Sequence, residues 1–532
     1  MTGEGRGAEP GTGPGVAAYR RVVDVGSGHH GAAVDESLWP LVEAFTDSHE
    51  VAGLAIAVVR EEEVVARGFG VRDLRTGEPV TPETMFHLAS VSKPFVATAI
   101  VTLASDRAPR GRVLDLDAPI TEWMPEFTLA DGRAGEVTAR GLLSHTSGLP
   151  DVSEYGWHDP QLGDDALSEF ARSLSGWRLQ SEPGSRFSYS NAGFELLGLL
   201  LSRVMGTTFE DAVRQLVLVP LGMRDSTFLR SEVPGTLAAS PHVGMPLSVS
   251  EGAYPYTRRH APSSSLHSSV GELVHWMVAH FDPAAASVGA GAGRWARLDA
   301  GLRDLMWRPV VQVGRPPWEE AAALGWAVGS YRGHRVVSHS GMDPGFGSKL
   351  VLVPEQRAGV VVLANSNTVP TSAIAKATLD VVLFGGDRTT TGIGTPAAGR
   401  DGLAEGVAAM RAGLPPVVGP LATTLRASGL EAAKAAYGQL VGLDPPQFDL
   451  DDDGFVDSVW GAIELHRTSL VWPLLRLWTE VRPDSSPAWT MTGWAHQVDG
   501  ELDLARSLLR RALELDPDND EAALLLGNLP PS

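Results

Sequence analysis

Ser90 and Lys93 stand three residues apart in the segment Phe86-His-Leu-Ala-Ser-Val-Ser-Lys93. On a helix this spacing places both side chains on one face, next to each other. A serine hydroxyl is a poor nucleophile until a neighbouring base takes its proton, and a buried lysine with a lowered pKa can be that base. Arginine cannot, because its guanidinium stays protonated. The pair therefore predicts covalent catalysis by Ser90, although Ser-x-x-Lys alone also occurs by chance.

The use of lysine in this chain strengthens that prediction. The 43 Lys and Arg residues include only four lysines, namely Lys93, Lys349, Lys376 and Lys434. Arginine fills nearly every basic position, yet lysine stands where a removable proton is needed. Lys93 is also the only one of the four with a serine three residues before it.

Two further motifs carry side chains that suit the same chemistry. Tyr189-Ser-Asn191 is the only Tyr-x-Asn in the chain. A phenol beside a lysine amine can pass protons between nucleophile and leaving group, and the Asn191 amide can hold an amide of the substrate. His339-Ser-Gly341 falls on a predicted strand. Because Gly341 permits a close backbone approach, the N–H groups of Ser90 and Met342 are predicted to form an oxyanion hole.

In this order the three motifs resemble those of serine β-lactamases and penicillin-binding proteins. The resemblance is greatest to class C β-lactamases, DD-peptidases, D-aminopeptidases and related esterases, and it covers about residues 40–385. Other similar segments are Gly68-Phe-Gly-Val71, Leu143-Ser-His-Thr-Ser-Gly-Leu149, Pro220-Leu-Gly-Met223 and Pro344-Gly-Phe-Gly347.

The resemblance implies a role for each site residue. Ser90 would be the acylated nucleophile, Lys93 its base and Tyr189 the donor of a proton to the leaving group. The substrate-binding residues would be Asn191, His339, Ser340 and Gly341, with His339 hydrogen-bonded to Tyr189 or to the substrate. His145, in the Ser-His-Thr-Ser-Gly segment, would belong to a structural turn.

Two segments depart from the family pattern. Ser263-Ser-Ser-Leu266 stands where Ala-Gly-Gly-Leu is usual, which puts the local shape of the pocket in doubt. His-Ser-Gly stands in place of Lys-Thr-Gly, and a neutral histidine binds a β-lactam carboxylate less strongly than a lysine cation. This favours the D-peptidase and esterase branch, with weak β-lactamase activity at most. The aromatic residues Trp157, Tyr254, Tyr256 and Trp318 are candidates for lining the cleft, with core or surface packing at least as strong an alternative for each.

The hydrophobic patterns predict the elements that must position these groups. The β-rich runs 51–59 and 63–71 predict a hairpin, and the runs 335–339, 348–353 and 359–364 predict an antiparallel meander. Helical periodicity dominates between them. We therefore expect an α+β fold of the β-lactamase/transpeptidase type, with an antiparallel sheet flanked by helices plus an all-helical domain.

The chain is predicted to contain a disordered Gly-rich arm (1–34), a catalytic domain (35–385), a linker (386–402) and a small all-α, tetratricopeptide-like region (403–532). The repeat positions are Trp489, Gly493, Ala505, Leu509, Ala512 and Pro517. They give one good repeat and one degenerate repeat, whereas binding arrays need about three. We interpret the region as a helical appendage packed on the catalytic domain.

Composition excludes several classes of function. The 532 residues contain no cysteine, which excludes disulfides, thiol nucleophiles and iron–sulfur clusters. The net charge of −21 argues against nucleic acid as a partner. Neither a membrane span nor a targeting segment is visible, so we expect a cytoplasmic protein. No cofactor and no metal are predicted, since the calcium-like loop from Asp449 has Trp460 where the ligand glutamate is needed.

The sequence therefore predicts a serine hydrolase that forms an acyl-enzyme from an ester or an amide, with a small molecule or short peptide as substrate. Two alternatives stay open. An acyltransferase or peptide cyclase would use the same acyl-enzyme with a different acceptor. A non-catalytic binding or scaffold protein would use the helical region for protein contact or self-association.

Overall fold

The computed structural model describes residues 34, 38–49, 51–61, 63–105, 113–152, 154–281, 298, 300–384 and 414–530. The predicted arm, apart from Val34, and the predicted linker lie outside these residues. The strands are β1 (Gly53–Arg60), β2 (Glu63–Asp73), β3 (Glu78–Pro79), β4 (Phe86–His87), β5 (His242–Val243), β6 (Ser248–Val249), β7 (His267–Ser268), β8 (Val311–Arg315), β9 (Glu319–Ala322), β10 (Ala327–Tyr331), β11 (His334–Asp343), β12 (Phe346–Val353) and β13 (Ala358–Ala364).

The helices up to the end of the catalytic region are α1 (Trp39–Ser48), α2 (Lys93–Leu103), α3 (Ala139–Leu143), α4 (Ala166–Ser173), α5 (Asn191–Met205), α6 (Phe209–Val213), α7 (Ala261–Ser264), α8 (Val270–Phe281), α9 (Ala300–Trp307) and α10 (Thr371–Phe384). The C-terminal helices are α11 (Val418–Ser428), α12 (Leu430–Val441), α13 (Asp453–Glu464), α14 (Trp472–Val481), α15 (Ser486–Val498), α16 (Leu502–Leu515) and α17 (Asp520–Asn528). None of the helices in the described part of the chain is long and apolar enough to cross a bilayer.

One antiparallel sheet organises the catalytic region. Its nine strands, counted over the described residues, lie in the order β3-β2-β1-β13-β12-β11-β10-β9-β8. The predicted hairpin is β1–β2, and the predicted meander is β11–β12–β13. The first and last parts of the region meet in the middle of the sheet, where Leu54 of β1 pairs with Ala364 of β13.

Both faces of this sheet are covered, which explains why β1 is apolar along nearly its whole length. Leu54, Ile56 and Val58 pack with the helices α1 and α10 on one face. Ala55 and Ala57 point to the other face and join the larger core, to which α2, α5 and α8 contribute. A strand buried on both faces loses the alternation of apolar and polar residues.

The all-helical part of the catalytic region surrounds α2. Every residue of α2, from Lys93 to Leu103, is buried, and α5 packs against it. The helix α5 begins with Asn191, its N-cap residue Ser190 accepts a hydrogen bond from the Gly193 N–H, and it ends at Gly206 in the left-handed conformation. Lys93 and Asn191 therefore lie at the N-termini of the neighbouring helices α2 and α5.

The seven helices of the described C-terminal residues, α11–α17, form a helical unit whose main apolar cluster also includes Trp157 and Val243 of the catalytic region. In α15 and α16 the predicted repeat positions meet. A Cβ on Gly493 would lie 2.9 Å from the Leu509 side chain, and Ala505, Leu509 and Ala512 are fully buried. Small residues at these positions allow the two helices to approach closely.

The acidic turn before α13 serves the packing of the helical unit. The Asp452 carboxylate accepts hydrogen bonds from the Trp478 indole N–H at 3.0 Å and from the Ser485 hydroxyl at 2.7 Å. Asp449 accepts the Asp451 N–H at 3.0 Å within the turn. These bonds join the turn to the following helices.

Candidate active site

Ser90 lies in a short 3-10 turn, Ala89–Ser92, that leads directly into α2. Ala89 has a φ of +48°, in the left-handed region that costs a residue with a Cβ about 1–2 kcal/mol. Surrounding contacts must hold this conformation. It leaves Ser90 partly exposed while Lys93, the first residue of α2, is fully buried.

The Lys93 side chain has three hydrogen-bond acceptors around its nitrogen. They are Ser90 Oγ at 2.8 Å, Asn191 Oδ1 at 2.6 Å and the Ser263 carbonyl oxygen at 2.9 Å. A neutral amine has only two N–H bonds. With those bonds directed at Asn191 and Ser263, the nitrogen lone pair faces Ser90 Oγ. The geometry therefore suits Lys93 as the base that takes the Ser90 proton.

The segment Ser263-Ser-Ser-Leu266, which departs from the usual Ala-Gly-Gly-Leu, leaves the hydrogen bonds of Lys93 intact. Lys93 binds the main-chain carbonyl of Ser263, which a change of side chain does not remove. The Ser263 N–H donates to the buried Glu195 carboxylate at 3.3 Å, and His260 Nδ1 lies 3.2 Å from the same carboxylate. Glu195 thus holds the short helix that presents the carbonyl.

The surroundings change the proton affinity of both catalytic candidates. Burial lowers the pKa of Lys93 to about 8, while the charges of Glu195 and Asp151 oppose the change. A base that is partly neutral near pH 8 can accept a proton there. Loss of water around the Tyr189 hydroxyl raises the pKa of that phenol well above its usual value. Tyr189 therefore stays protonated and donates to Ser90 Oγ, 3.0 Å away.

Asn191 is fixed from the side opposite Lys93. Its Nδ2 donates to the Asp151 carboxylate at 3.0 Å and to the Tyr155 hydroxyl, and its backbone N–H donates to Asp151 at 2.6 Å. Because a carboxylate only accepts, Asp151 determines which way the Asn191 amide points. The amide oxygen is thereby directed to Lys93.

His145 lies behind Tyr189 rather than beside Ser90. The two rings are stacked with centroids 4.3 Å apart, and His145 Nδ1 accepts the Ser190 N–H at 3.1 Å. Burial and the nearby Lys93 charge hold the pKa of His145 well below its usual value. A neutral ring that supports Tyr189 fits the structural role expected for this segment.

The strand β11 brings the third motif to the cleft. A Cβ on Gly341 would lie 2.5 Å from the Leu88 carbonyl oxygen and 2.8 Å from Ser90 N, so only glycine permits this approach. The strand β10 pairs with β11 only as far as Ser338. From His339 onward, the edge that faces Ser90 has no strand partner among the described residues, and it offers backbone groups to a substrate.

The His339 ring makes a hydrogen bond within its own strand. Its Nδ1 donates to the Ser340 carbonyl oxygen at 2.7 Å, whereas the sequence favoured a hydrogen bond to Tyr189 or to substrate. This hydrogen bond occupies Nδ1 of His339, which leaves Nε2 as an acceptor. Burial, followed by the Lys93 charge, lowers the pKa of His339 to about 3, so this side chain brings no positive charge to the cleft.

A second buried lysine, Lys349, lies beside Ser340 on the neighbouring strand β12. Lys349 pairs with Ser340 across the β11–β12 ladder, and its Nζ donates to Ser340 Oγ at 2.9 Å and to Ser338 Oγ at 3.3 Å. The same nitrogen lies 5.1 Å from the centre of the Trp318 ring. Burial lowers the pKa of Lys349 to about 8. Sequence reasoning missed this residue, although the scarcity of lysine pointed to it as much as to Lys93.

These residues surround a cleft of about 550 Å³ that opens above Ser90. Its walls include the predicted residues Ser90, Tyr189, His339, Ser340, Gly341 and Met342. The aromatic side chains in the wall are Phe187, Tyr189 and Trp326. The four aromatic residues suggested by the sequence are not among the lining residues. Trp318, for example, packs on Lys349, and Trp157 packs against the helical unit.

One group in the described part of the chain brings three potential metal ligands together, and it lies outside the cleft. The ligand atoms of Glu154, His158 and His466 are within 4.8 Å of one another. The two imidazole rings are stacked, with centroids 3.7 Å apart and planes inclined by 17°. Their lone pairs lie in nearly parallel planes, so one ion could bind both rings only if the stack opened.

The catalytic region and the C-terminal helical unit are each similar to known proteins. Residues 40–385 match the beta-lactamase family model, and residues 474–529 match the tetratricopeptide repeat model. Esterase EstB of Burkholderia gladioli is 36% identical over 276 residues, which cover 49% of this chain and 67% of the esterase. The octameric penicillin-binding protein homologue from Pyrococcus abyssi has a TM-score of 0.56 at 26% identity, covering 66% of this chain and 77% of that one.

The fold extends to amidases. The D-amino acid amidase from Ochrobactrum anthropi SV3 aligns with a TM-score of 0.51 at 23% identity, over 63% of this chain and 91% of that one. At this identity the likeness concerns the fold alone. The predicted antiparallel sheet with helices, followed by an all-helical C-terminal region, is confirmed. Since the family model spans well over half of its length, the chain belongs to the beta-lactamase family of serine hydrolases and carries a tetratricopeptide repeat near its C-terminus.

Proposed function

We propose that this protein hydrolyses an ester, or an amide such as that of a D-residue peptide, through an acyl-enzyme on Ser90. The observation that carries the proposal is the environment of Lys93. Asn191 and Ser263 hold its two N–H bonds, so the lone pair of the neutral amine faces Ser90 Oγ at 2.8 Å. A scaffold protein would have no need for a buried lysine whose pKa is lowered to about 8.

In the first half-reaction, Ser90 Oγ attacks the substrate carbonyl carbon while Lys93 takes the hydroxyl proton. The backbone N–H groups of Ser90 and Met342 are proposed to bind the oxygen that becomes negative. Tyr189 gives its proton to the leaving alcohol or amine and recovers one from Lys93. In the second half-reaction water attacks the acyl-enzyme, and its proton passes back to Ser90 as the acid is released.

An ester is the first choice of substrate. The relative with 36% identity is named an esterase. The cleft wall beside Ser90 is largely apolar, with Phe187, Val313, Ala321 and Trp326 among its lining residues, which suits an apolar acyl group. The open edge of β11 next to His339 can additionally pair with an amide of an extended substrate.

Covalent labelling tests the enzyme proposal directly. We expect incubation with a fluorophosphonate to add one label to the wild-type protein, detected by intact mass, and none to Ser90→Ala. No label on the wild type, or a label that survives Ser90→Ala, would contradict the proposal. Turnover of p-nitrophenyl esters, D-alanine amides and β-lactams then identifies the preferred class.

The same assay separates hydrolysis from acyl transfer. Both reactions pass through the Ser90 ester and differ only in the acceptor of the second half-reaction. We expect free acid as the main product when an amine or alcohol is added at millimolar concentration. An amide or ester as the main product would instead support the acyltransferase or cyclase alternative.

A further inference from the structure

The C-terminal helical unit packs directly on the segment that holds Asn191. Trp157, which follows Tyr155 in that segment, is buried in the same apolar cluster as residues of α11, α13 and α14. The His158 ring stacks on the His466 ring just beyond the end of α13. The core of the helical unit thus includes Trp157, which is two residues from Tyr155, a hydrogen-bond partner of Asn191.

A short series of contacts connects this junction to the catalytic lysine. Trp157 and Tyr155 are stacked with ring centroids 4.6 Å apart and an interplanar angle of 8°. The Tyr155 hydroxyl accepts a hydrogen bond from Asn191 Nδ2, and Asn191 Oδ1 accepts one from Lys93 at 2.6 Å. Each contact in this series is either a ring stack or a hydrogen bond, and both depend steeply on position.

A second contact reaches the other wall of the cleft. A Cβ on Gly461 of α13 would lie 2.8 Å from Asn367 Oδ1 and 3.5 Å from Pro344 Cα. Asn367 in turn accepts the Gly345 N–H at 2.6 Å and donates to the Asp343 carbonyl at 2.8 Å. The helix α13 therefore lies against the turn that joins β11 to β12, which is the strand pair carrying the third motif.

We propose that the C-terminal helical unit is part of the active-site framework and that, through Trp157 and Tyr155, it positions Asn191 and thereby Lys93. This inference rests on the proposed function, since it concerns the same catalytic lysine. It assigns the unit a role within its own chain, and it makes Trp157, Tyr155 and Gly461 positioning residues rather than catalytic ones.

Two glycines of the helical unit give a matched test. Gly461 and Gly438 both lie inside helices of the unit, but a Cβ on Gly438 has no atom within 4 Å. Gly461→Val must displace Asn367 or the helix, whereas Gly438→Val makes the same change in helix propensity, which favours valine slightly over glycine, without a clash. We expect Gly461→Val to label with fluorophosphonate at least tenfold more slowly and Gly438→Val to label like the wild type.

The pH dependence of labelling distinguishes positioning from general destabilisation. A Cβ on Gly461 would also lie 3.2 Å from Val243, which belongs to the same apolar cluster as Trp157. If the displaced cluster moves Trp157, Tyr155 and Asn191, the Lys93 ammonium loses an acceptor, so the acid limb of the labelling rate should move to lower pH in Gly461→Val. Tyr155→Phe keeps the ring stack, removes the hydroxyl, and is expected to show the same movement at an unchanged melting temperature. Tyr155→Phe also decides the question if Gly461→Val does not fold.

Two results would overturn the inference while leaving the proposed function in place. One is wild-type labelling kinetics in both Gly461→Val and Tyr155→Phe. The other is slower labelling in Gly461→Val with an unmoved acid limb and a lowered melting temperature, together with normal kinetics in Tyr155→Phe. Failure of the wild-type protein itself to label at Ser90 would instead overturn the proposed function.

Discussion

Lys349 faces Ser340 directly across the β11–β12 ladder, and its Nζ donates a hydrogen bond of 2.9 Å to Ser340 Oγ. Because an ammonium group only donates, Ser340 Oγ must accept this bond, and the hydroxyl hydrogen of Ser340 is left to donate into the cleft. The neutral His339 supplies no charge there. We therefore propose that the positive charge near the third motif comes from Lys349 on β12 and that Ser340, as a hydrogen-bond donor, transmits its effect to a bound substrate.

Replacement of Lys349 by methionine tests this arrangement. Lys349→Met should lower kcat/KM about tenfold for substrates that accept a hydrogen bond from Ser340, since a charge-assisted hydrogen bond is worth about 1.5–3 kcal/mol. Ser340→Ala should have a similar effect, and the double variant should be no worse than either single one. Additive losses in the kcat/KM of the double variant would show that the two residues act separately.

Replacement of Lys93 by arginine keeps the charge and removes the base. Because the guanidinium does not lose its proton, we expect Lys93→Arg to reduce the rate of Ser90 labelling by roughly 10²–10⁴-fold. Lys376→Arg, at a lysine outside the cleft, is the matched control and should label at the wild-type rate. Near wild-type labelling of Lys93→Arg would show that another group takes the Ser90 proton.

The pH dependence of acylation should follow Lys93. With the Lys93 pKa lowered to about 8, the rate in a Lys349→Met background should rise with pH to a plateau above pH 8 as the Lys93 amine becomes neutral, because Lys349, whose pKa is also about 8, can no longer lose its charge in the same range. His339, with a pKa lowered to about 3, should add no limb near neutral pH. Measurement of kcat/KM from pH 5 to pH 10 checks this. A limb near pH 6.5 that disappears in His339→Gln would contradict the assignment.

Tyr189→Phe should separate substrates by their leaving groups. The phenol is proposed to protonate the departing oxygen or nitrogen, so an amide or alkyl ester depends on it. A p-nitrophenolate leaves without a proton. We expect the variant to lose roughly 10²–10⁴-fold in kcat on amides and alkyl esters and much less on p-nitrophenyl esters. Equal losses on both substrate types would assign Tyr189 another role.

Lys93 should also give the protein a stability that increases with pH. Its pKa falls from 10.5 in the unfolded chain to about 8 in the folded protein, so the unfolded chain binds more protons between these values. The free energy of unfolding therefore rises across this window, by about 3 kcal/mol from this group. Because Lys349, whose pKa is also lowered to about 8, contributes a similar rise, denaturant unfolding should show a rise in Lys93→Met that is smaller than the wild-type rise by about 3 kcal/mol. Parallel curves would contradict the lowered pKa.

Local spacing made part of this site predictable. Ser90 and Lys93 are three residues apart in the chain, and the β-rich runs predicted the meander that carries His339. Asp151, Tyr155 and Lys349 could not be found in this way. Their roles depend on a strand register and on a loop folded against α5, and neither leaves a pattern in the sequence.

The orientation of side chains was harder to predict than their presence. His339 lines the cleft as expected, but its ring forms a hydrogen bond to the Ser340 carbonyl within its own strand.

The position of the helical unit was predicted only in outline. The sequence left Trp157 open between the cleft wall and apolar packing, and its apolar surface is buried by helices that begin more than two hundred residues later.

The half-paired strand β11 has a consequence for the kind of chain that can enter. An open strand edge normally invites pairing with other proteins. Here the edge from His339 onward lies within a cleft of about 550 Å³, between Tyr189 and the hairpin of β8 and β9. We therefore expect an extended segment of a substrate to pair with this edge more readily than a folded protein does, so the conformation of a substrate would matter before its chemistry.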